Sequence, residues 1–428
     1  MDAPAAHVIR IESREHLLST LAEAAELEHT VMCVYLYAVF SLKQSQEEGL
    51  SAAELAAVTR WRALLMEVAI QEMTHLVLVT NLMTSIGGTA HFYRPGFPVQ
   101  PGCFPAEFVV GLAPFSLETL DQFIFLERPD DRRNAGGHES QRETDYVRTT
   151  SPGRLMAHTG DYHTVGQLYE AVEQGIERLS RDLTARDLFC GSHALQLTPS
   201  DVPLEGLQLI HDKASALAAI QTIVEQGEGA RVETNSHFEK FKQMKREFQQ
   251  CLAHNHHFMP SRPSVRNPVM RNPIEAGDAV WVNDPAAARY LDLGNSLYAL
   301  MLRCLVQIYA MERRPASSKK ILLDGALTFM HAVARVASLL SRMPANPDQP
   351  GVTAGLSFDL NRHFSPLELS SEKLLLIERL DEITRLVDGL QQAARNAETT
   401  RVLSEIGESL GSIRGSLVNQ DAGSNENP

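Results

Sequence analysis

Residues 51–88 read SAAELAAVTRWRALLMEVAIQEMTHLVLVTNLMTSIGG. Leu65, Val68, Ala69, Leu76, Val79 and Met83 recur at the three-to-four spacing of one helical face, with no Pro or Gly until the end of the stretch. Ser51 followed by Glu54 reads as a capping box, and Gly87-Gly88 as the stop. The spacing therefore predicts one long helix over 51–86. Inside it lies Glu72-Met-Thr-His75. A carboxylate and an imidazole three residues apart share a helical face and can converge on one ion.

Such a pair occurs by chance in many helices, so its company decides. Upstream, 17–42 carries Leu21, Ala25, Met32, Tyr35 and Val39 at helical spacing, and Glu28 falls on that apolar stripe. A carboxylate on a buried stripe is costly unless a cation or a metal neutralises it. No Lys or Arg lies between Glu15 and Leu42. Bundles that hold two metals combine Glu-x-x-His with Glu residues from facing helices, so two further helices are sought.

Downstream, 163–183 reads as a third helix with Glu170, Glu173 and Glu177 as alternative acidic ligands. Its stripe runs through Val165, Tyr169, Val172 and Ile176, with Glu173 at the edge. A fourth helix, from about Glu205 to Gln226, is broken at Gly227-Glu228-Gly229 and resumes over 236–251. Glu225 and Glu228 compete there for one ligand role, and His237 opens the resumed helix. Tyr35 and Tyr37 lie close enough to Glu28 for one to donate a hydrogen bond to a ligand. The candidate metal ligands are thus Glu28, Glu72, His75, Glu170, Glu225, Glu228 and His237.

The expected organisation is a metal-binding bundle over 1–254, a linker over 255–272, a helical C-terminal region over 273–418 and a disordered tail over 419–428. The bundle is interrupted over 87–162, where Pro95, Pro98, Pro101, Pro105, Pro114, Pro129 and Pro152 leave one short helix at 116–127. Later helices are read at 284–313, 318–343, 370–396 and 399–416, and no strand is expected. A net charge of -14 makes nucleic acid an unsuitable partner. The N-terminal residues lack an apolar signal core, and no uninterrupted apolar span of bilayer length follows, so a cytoplasmic protein without a membrane partner is expected. Cys33, Cys103, Cys190, Cys251 and Cys304 are widely spaced and read as buried free thiols. His254, His256 and His257 read as solvated linker histidines.

Four segments resemble the ferritin-like domain of the iminophenyl-pyruvate dimer synthase family, related to proteins of violacein and indolocarbazole biosynthesis. They are AAELEHTVMCVYLYAVFSL (24–42), EVAIQEMTHLVLVTNLMTSIGGTAHF (67–92), HTVGQLYEAVEQGIERL (163–179) and AAIQTIVEQGEGARVETNSHFEKF (218–241). The resemblance implies an all-α protein built on a ferritin-like four-helix bundle, with metal positions at Glu28, Glu72, His75, His237 and acidic residues of the third and fourth helices. Carboxylate and imidazole donors with open coordination positions suit two iron ions, or alternatively manganese. The expected function is an oxidase or oxygenase that uses dioxygen or peroxide on a small-molecule substrate, in secondary metabolism and in a possible homo-oligomer. The alternative is a non-catalytic metal-binding or scaffold protein.

Overall fold

The computed structural model of the chain describes residues 9–100, 102–105, 110–129, 160–183, 185–227, 235–273, 277–310, 315–349, 351–360 and 362–419. Two compact units emerge: Met1–Gly111 with Phe115–Ser261, and Leu112–Pro114 with Arg262–Pro428. Both are helical.

The first unit is organised by α1 (Arg14–Ser41) and α2 (Ala52–Ser85), which pack along each other. Ser13 caps α1 by accepting from the His16 amide, and Ser51 and Glu54 form the reciprocal box expected for α2. Beyond α2, Gly87 takes φ +85° and the Gly88 amide returns to the Met83 carbonyl at 2.8 Å. The left-handed conformation at that turn favours glycine.

The other two members of the bundle are each made in two pieces. In one half, α4 (Val165–Asp182) packs on α1 and on α6 (Lys213–Gly227), which also packs on α2. In the other half, α3 (Leu117–Leu126) packs on α7 (His237–His254), which rests on α2. A four-residue helix, α5 (Ala185–Leu188), follows α4. Tyr35, Phe123 and Phe241 tie α1, α3 and α7 together, with ring centroids 4.6 to 5.2 Å apart. Each of these rings is fully buried, so together they anchor that half through apolar area and edge-on ring contacts.

The piece expected as a fourth helix from about Glu205 starts instead at Lys213. Gly206 turns the chain at φ +82°. The Asn81 side chain bonds the Leu197 backbone in both directions, and Gln196 does the same to Ile210. These amides satisfy backbone groups that a helix would pair internally, and Asp212 then caps the helix through the Ser215 amide.

The segment expected as a linker, 255–272, is packed. Phe258 is buried against Trp61 and Phe248, the Pro260 carbonyl accepts from Lys43, and Ser261 Oγ donates to the Phe115 carbonyl. From Arg262 the chain belongs to the second unit, where Asn267 bonds both ways to Leu112. His254, His256 and His257 are exposed. The cysteines are free, but only Cys33 and Cys304 are buried, and Cys190 is exposed.

The second unit contains α8 (Pro285–Ile308), α9 (Ala316–Leu340), α10 (Leu369–Ala393) and α11 (Ala397–Asn419). Each packs on two others, α8 with α9 and α10, and α11 with α9 and α10. One parallel pair of two-residue strands, β1 (Pro268–Val269) and β2 (Val280–Trp281), was not expected from the sequence. α2 and α9 are long and apolar enough to cross a membrane by length and composition alone. In α2, however, Trp61, Leu65, Val68, Leu78 and Val79 are buried within the unit together with Glu72 and His75.

Candidate metal centre

Where the two halves of the first unit meet, the C-terminal ends of α3 and α6 and the N-terminal ends of α4 and α7 face the middle of α1 and α2. The side chains gathered there are Glu28 from α1, Glu72 and His75 from α2, Glu127 at the end of α3 and His237 at the first position of α7. None is more than 7 % exposed.

Glu72 lies between the imidazoles. Its Oε2 is 3.1 Å from His75 Nδ1 and its Oε1 is 2.9 Å from His237 Nδ1. Glu28 Oε2 lies 3.4 Å from His75 Nδ1, and Glu127 Oε2 lies 3.6 Å from His237 Nδ1. Two three-residue groups result, Glu28–Glu72–His75 and Glu72–Glu127–His237, with donor atoms in each within 4.8 Å of one another. Glu72 belongs to both, one oxygen to each.

The surroundings repeat the same pattern on both sides. Tyr169 of α4 donates to Glu28 Oε1 and Tyr35 of α1 donates to Glu127 Oε1, so each outer carboxylate has one oxygen engaged and turns Oε2 inward. Each imidazole has its Nε2 against a glutamine oxygen, Gln226 Oε1 at 2.9 Å for His75 and Gln71 Oε1 at 3.0 Å for His237. That arrangement leaves both Nδ1 atoms facing the carboxylates.

The electrostatics follow from burial of like charges. Glu28 is pushed up to about 8 by burial and by the Glu72 charge, against the pull of His75. Burial also works against the Glu72 charge, but His75 and His237 outweigh it and hold the carboxylate well below its usual range. Burial disfavours charge on the two imidazoles, yet Glu72 raises both, His75 well above its ordinary value. Burial, then the charges of Glu28 and Glu127 respectively, raise Tyr169 and Tyr35 far above the ordinary phenol range and keep them hydrogen-bond donors.

These residues fit a pair of metal ions on three observations. His237 Nδ1 is fully buried without a hydrogen bond of acceptable geometry, although two carboxylates face it. A Cβ on Gly227 would stand 3.3 Å from Glu127 Oε2, so glycine leaves that carboxylate room. The donor set of three carboxylates and two imidazoles suits iron or manganese. A cavity of about 20 Å³, space for one or two waters, borders Glu28, Glu72, His75 and Glu127. Its other walls, Leu27, Val31, Leu126, Ile223 and Val224, are apolar.

Glu28, Glu72, His75 and His237 are thus brought together, and Glu170 and Glu225 are not. Glu170 is exposed and accepts from Gln174, because the buried face of α4 runs through Leu168, Tyr169, Val172 and Ile176. Glu173 is also exposed, and Glu177 lies 3.8 Å from Lys213. α4 offers the Tyr169 phenol where an acidic ligand was expected. Glu225 accepts from Gln221 at 2.6 Å, and its neighbour Gln226 faces the centre instead. Glu228 lies outside the described residues. Glu170→Ala and Glu225→Ala are expected to leave metal content unchanged by elemental analysis; loss of an ion in either variant would contradict this placement.

Sequence reasoning missed Glu127. A signal was present, since Glu127 follows Leu120 by seven residues and Phe123 by four, on the buried face of α3. Of Tyr35 and Tyr37, of which one was expected to donate to a ligand, Tyr35 does so, but to Glu127, and the donor to Glu28 is Tyr169.

Comparison with known proteins agrees with this architecture. A ferritin-like family model matches residues 21–246, more than half of the chain and all five residues of the centre. The chain belongs to the ferritin-like family. Two curated relatives resemble this ferritin-like chain. A 2-imino-3-(indol-3-yl)propanoate dimerase from Chromobacterium violaceum is 28% identical over 83% of the chain and 36% of the relative. A dichlorochromopyrrolate synthase from Lentzea aerocolonigenes is 25% identical over 92% of the chain and 40% of the relative. The ferritin-like chain therefore spans about two-fifths of the length of these relatives. Among solved structures, a ferritin-like protein from Caulobacter vibrioides aligns at TM-score 0.49 and 19% identity, covering 81% of this chain and 100% of that one.

Proposed function

We propose that the chain is a dimetal carboxylate oxidase or oxygenase of secondary metabolism that acts, with dioxygen or peroxide, on a small 2-imino acid bearing an aromatic side chain. The observation that carries the reading is Glu72 shared between two complete carboxylate–imidazole groups, the arrangement expected of a bridging ligand. Two iron ions, or manganese, bound there would supply the activation of dioxygen or peroxide that side chains alone lack. The substrate class comes from the name of the Chromobacterium violaceum relative, a dimerase of such an imine.

The chain's own residues have separable tasks in this reading. Glu28, Glu72, Glu127, His75 and His237 would hold the ions. Tyr169 and Tyr35 fix the outer carboxylates by binding the oxygens that face away. Gln226 and Gln71 hold the imidazole Nε2 atoms, so that Nδ1 faces the carboxylates and would be the atom offered to a metal. Leu27, Val31, Leu126, Ile223 and Val224 form an apolar wall that limits water around the reacting atoms.

The test combines oxidation and turnover. Protein loaded anaerobically with ferrous iron and then mixed with dioxygen is expected to develop near-ultraviolet absorption. In the same mixture, mass spectrometry is expected to show consumption of 2-imino-3-(indol-3-yl)propanoate generated in situ, and Glu72→Ala should abolish both signals. Imine consumption that continues unchanged in Glu72→Ala would contradict catalysis at this centre, and bound iron with neither oxidation nor imine consumption would leave the non-catalytic metal-binding reading.

A further inference from the structure

The two imidazoles are held alike at first sight, but what stands behind each glutamine differs. Gln71 Oε1, which faces His237 Nε2, also accepts from Lys240 Nζ at 3.1 Å. Lys240 is 6 % exposed and pairs with Glu67 at 2.9 Å, whose carboxylate is 51 % exposed. A chain of polar contacts thus runs from the surface through Lys240 and Gln71 to His237.

This chain has a directional consequence. An ammonium has three donors and no acceptor, so the Gln71 atom between Lys240 and His237 must be the amide oxygen. An oxygen only accepts, so His237 Nε2 must carry the proton. A neutral imidazole protonated at Nε2 has its lone pair at Nδ1, the atom that lies 2.9 Å from Glu72 and 3.6 Å from Glu127. Lys240 therefore selects the ligand atom of a histidine that it does not touch. At the other imidazole, no buried cation among the described contacts performs this task for Gln226 and His75.

We propose that Lys240 is a positioning residue that, through Gln71, locks His237 as an Nδ1 ligand and so controls occupancy of the Glu72–Glu127–His237 position. The proposal rests on the metal-centre reading above. Its test uses the full chain titrated with ferrous iron under anaerobic conditions, followed by competition with a chelator. Lys240→Met is expected to weaken one of two binding events by about 10- to 100-fold, the usual effect of losing a partner behind a metal ligand, and to leave the other unchanged. Gln71→Leu, which leaves the Lys240–Glu67 pair in place, should reproduce that single-position loss.

The decisive variant is Gln71→Glu combined with Lys240→Met. A carboxylate has no amide to flip and accepts from His237 Nε2 unaided, so it should restore the weakened event. A packing role for Lys240 would not be rescued in this way. Wild-type affinity at both positions in Lys240→Met, or failure of Gln71→Glu to restore binding, would overturn the proposal. Absence of any bound metal in the unmodified protein would instead overturn the reading on which it rests.

Discussion

In Glu72→Ala both metal ions are expected to be lost, whereas His75→Ala should lose one. The difference follows from connectivity. Each candidate position gathers three donor residues, and Glu72 would supply one oxygen to each, Oε2 toward His75 Nδ1 and Oε1 toward His237 Nδ1. Without Glu72 each position retains one carboxylate and one imidazole, two donors for an ion that binds firmly with more. Without His75 the Glu72–Glu127–His237 group is still complete. The fold should survive either change, because the stability of helices in a bundle comes mainly from their apolar faces. Removing Glu72 also deletes a buried charge along with the partner that raises the two imidazoles, so they revert toward neutral histidines. Elemental analysis of folded protein, checked by circular dichroism, measures the outcome. Equal metal loss in Glu72→Ala and His75→Ala would argue against a shared carboxylate.

The second large effect is expected at Glu127. Glu127→Ala should remove the ion held with His237 and spare the one held with Glu28 and His75. The double variant Glu127→Ala/His237→Ala should lose no more metal than either single variant. Residues that act as one unit are non-additive in this way, since the first removal already empties the position. Tyr35 loses its acceptor in Glu127→Ala, and a buried phenol without a partner costs about 1–3 kcal/mol. A lower melting temperature is therefore expected alongside the metal loss. Restoring an apolar contact with Tyr35→Phe in the same chain should recover part of that stability and none of the metal. Full metal occupancy in Glu127→Ala would remove the residue from the centre.

Glu28, Glu72 and His75 were legible in the sequence because they interrupt long apolar stripes, where the cost of a buried charge makes a functional partner the economical explanation. His237 could be placed because it follows the point where the broken fourth helix resumes, and Ser236 caps α7 there. Glu127 was hidden by its setting. The Pro-rich stretch reads as an interruption of the bundle, yet its short helix α3 fills half of one bundle position, and the residue that ends it reaches the centre. Glu170 and Glu225 were chosen by residue type on helices whose inward faces present Tyr169 and Gln226. Periodicity narrows a helix to a face. It does not say that a phenol or an amide, bonded to a ligand, will occupy the place where an acid was sought. The start of α6 at Lys213 was misread for a related reason, since Asn81 and Gln196 bond loop backbone from positions distant in sequence.

The central claim is that Glu72 joins two metal positions into one centre. Electron paramagnetic resonance of the full chain loaded with manganous ions tests it most directly, because two ions sharing a carboxylate are magnetically coupled and isolated ions are not. The account predicts two ions per chain and a coupled spectrum that disappears in Glu72→Ala, with the isolated-ion pattern appearing in His75→Ala. An isolated-ion pattern in the unmodified protein at full loading, or no bound manganese at all, would contradict it.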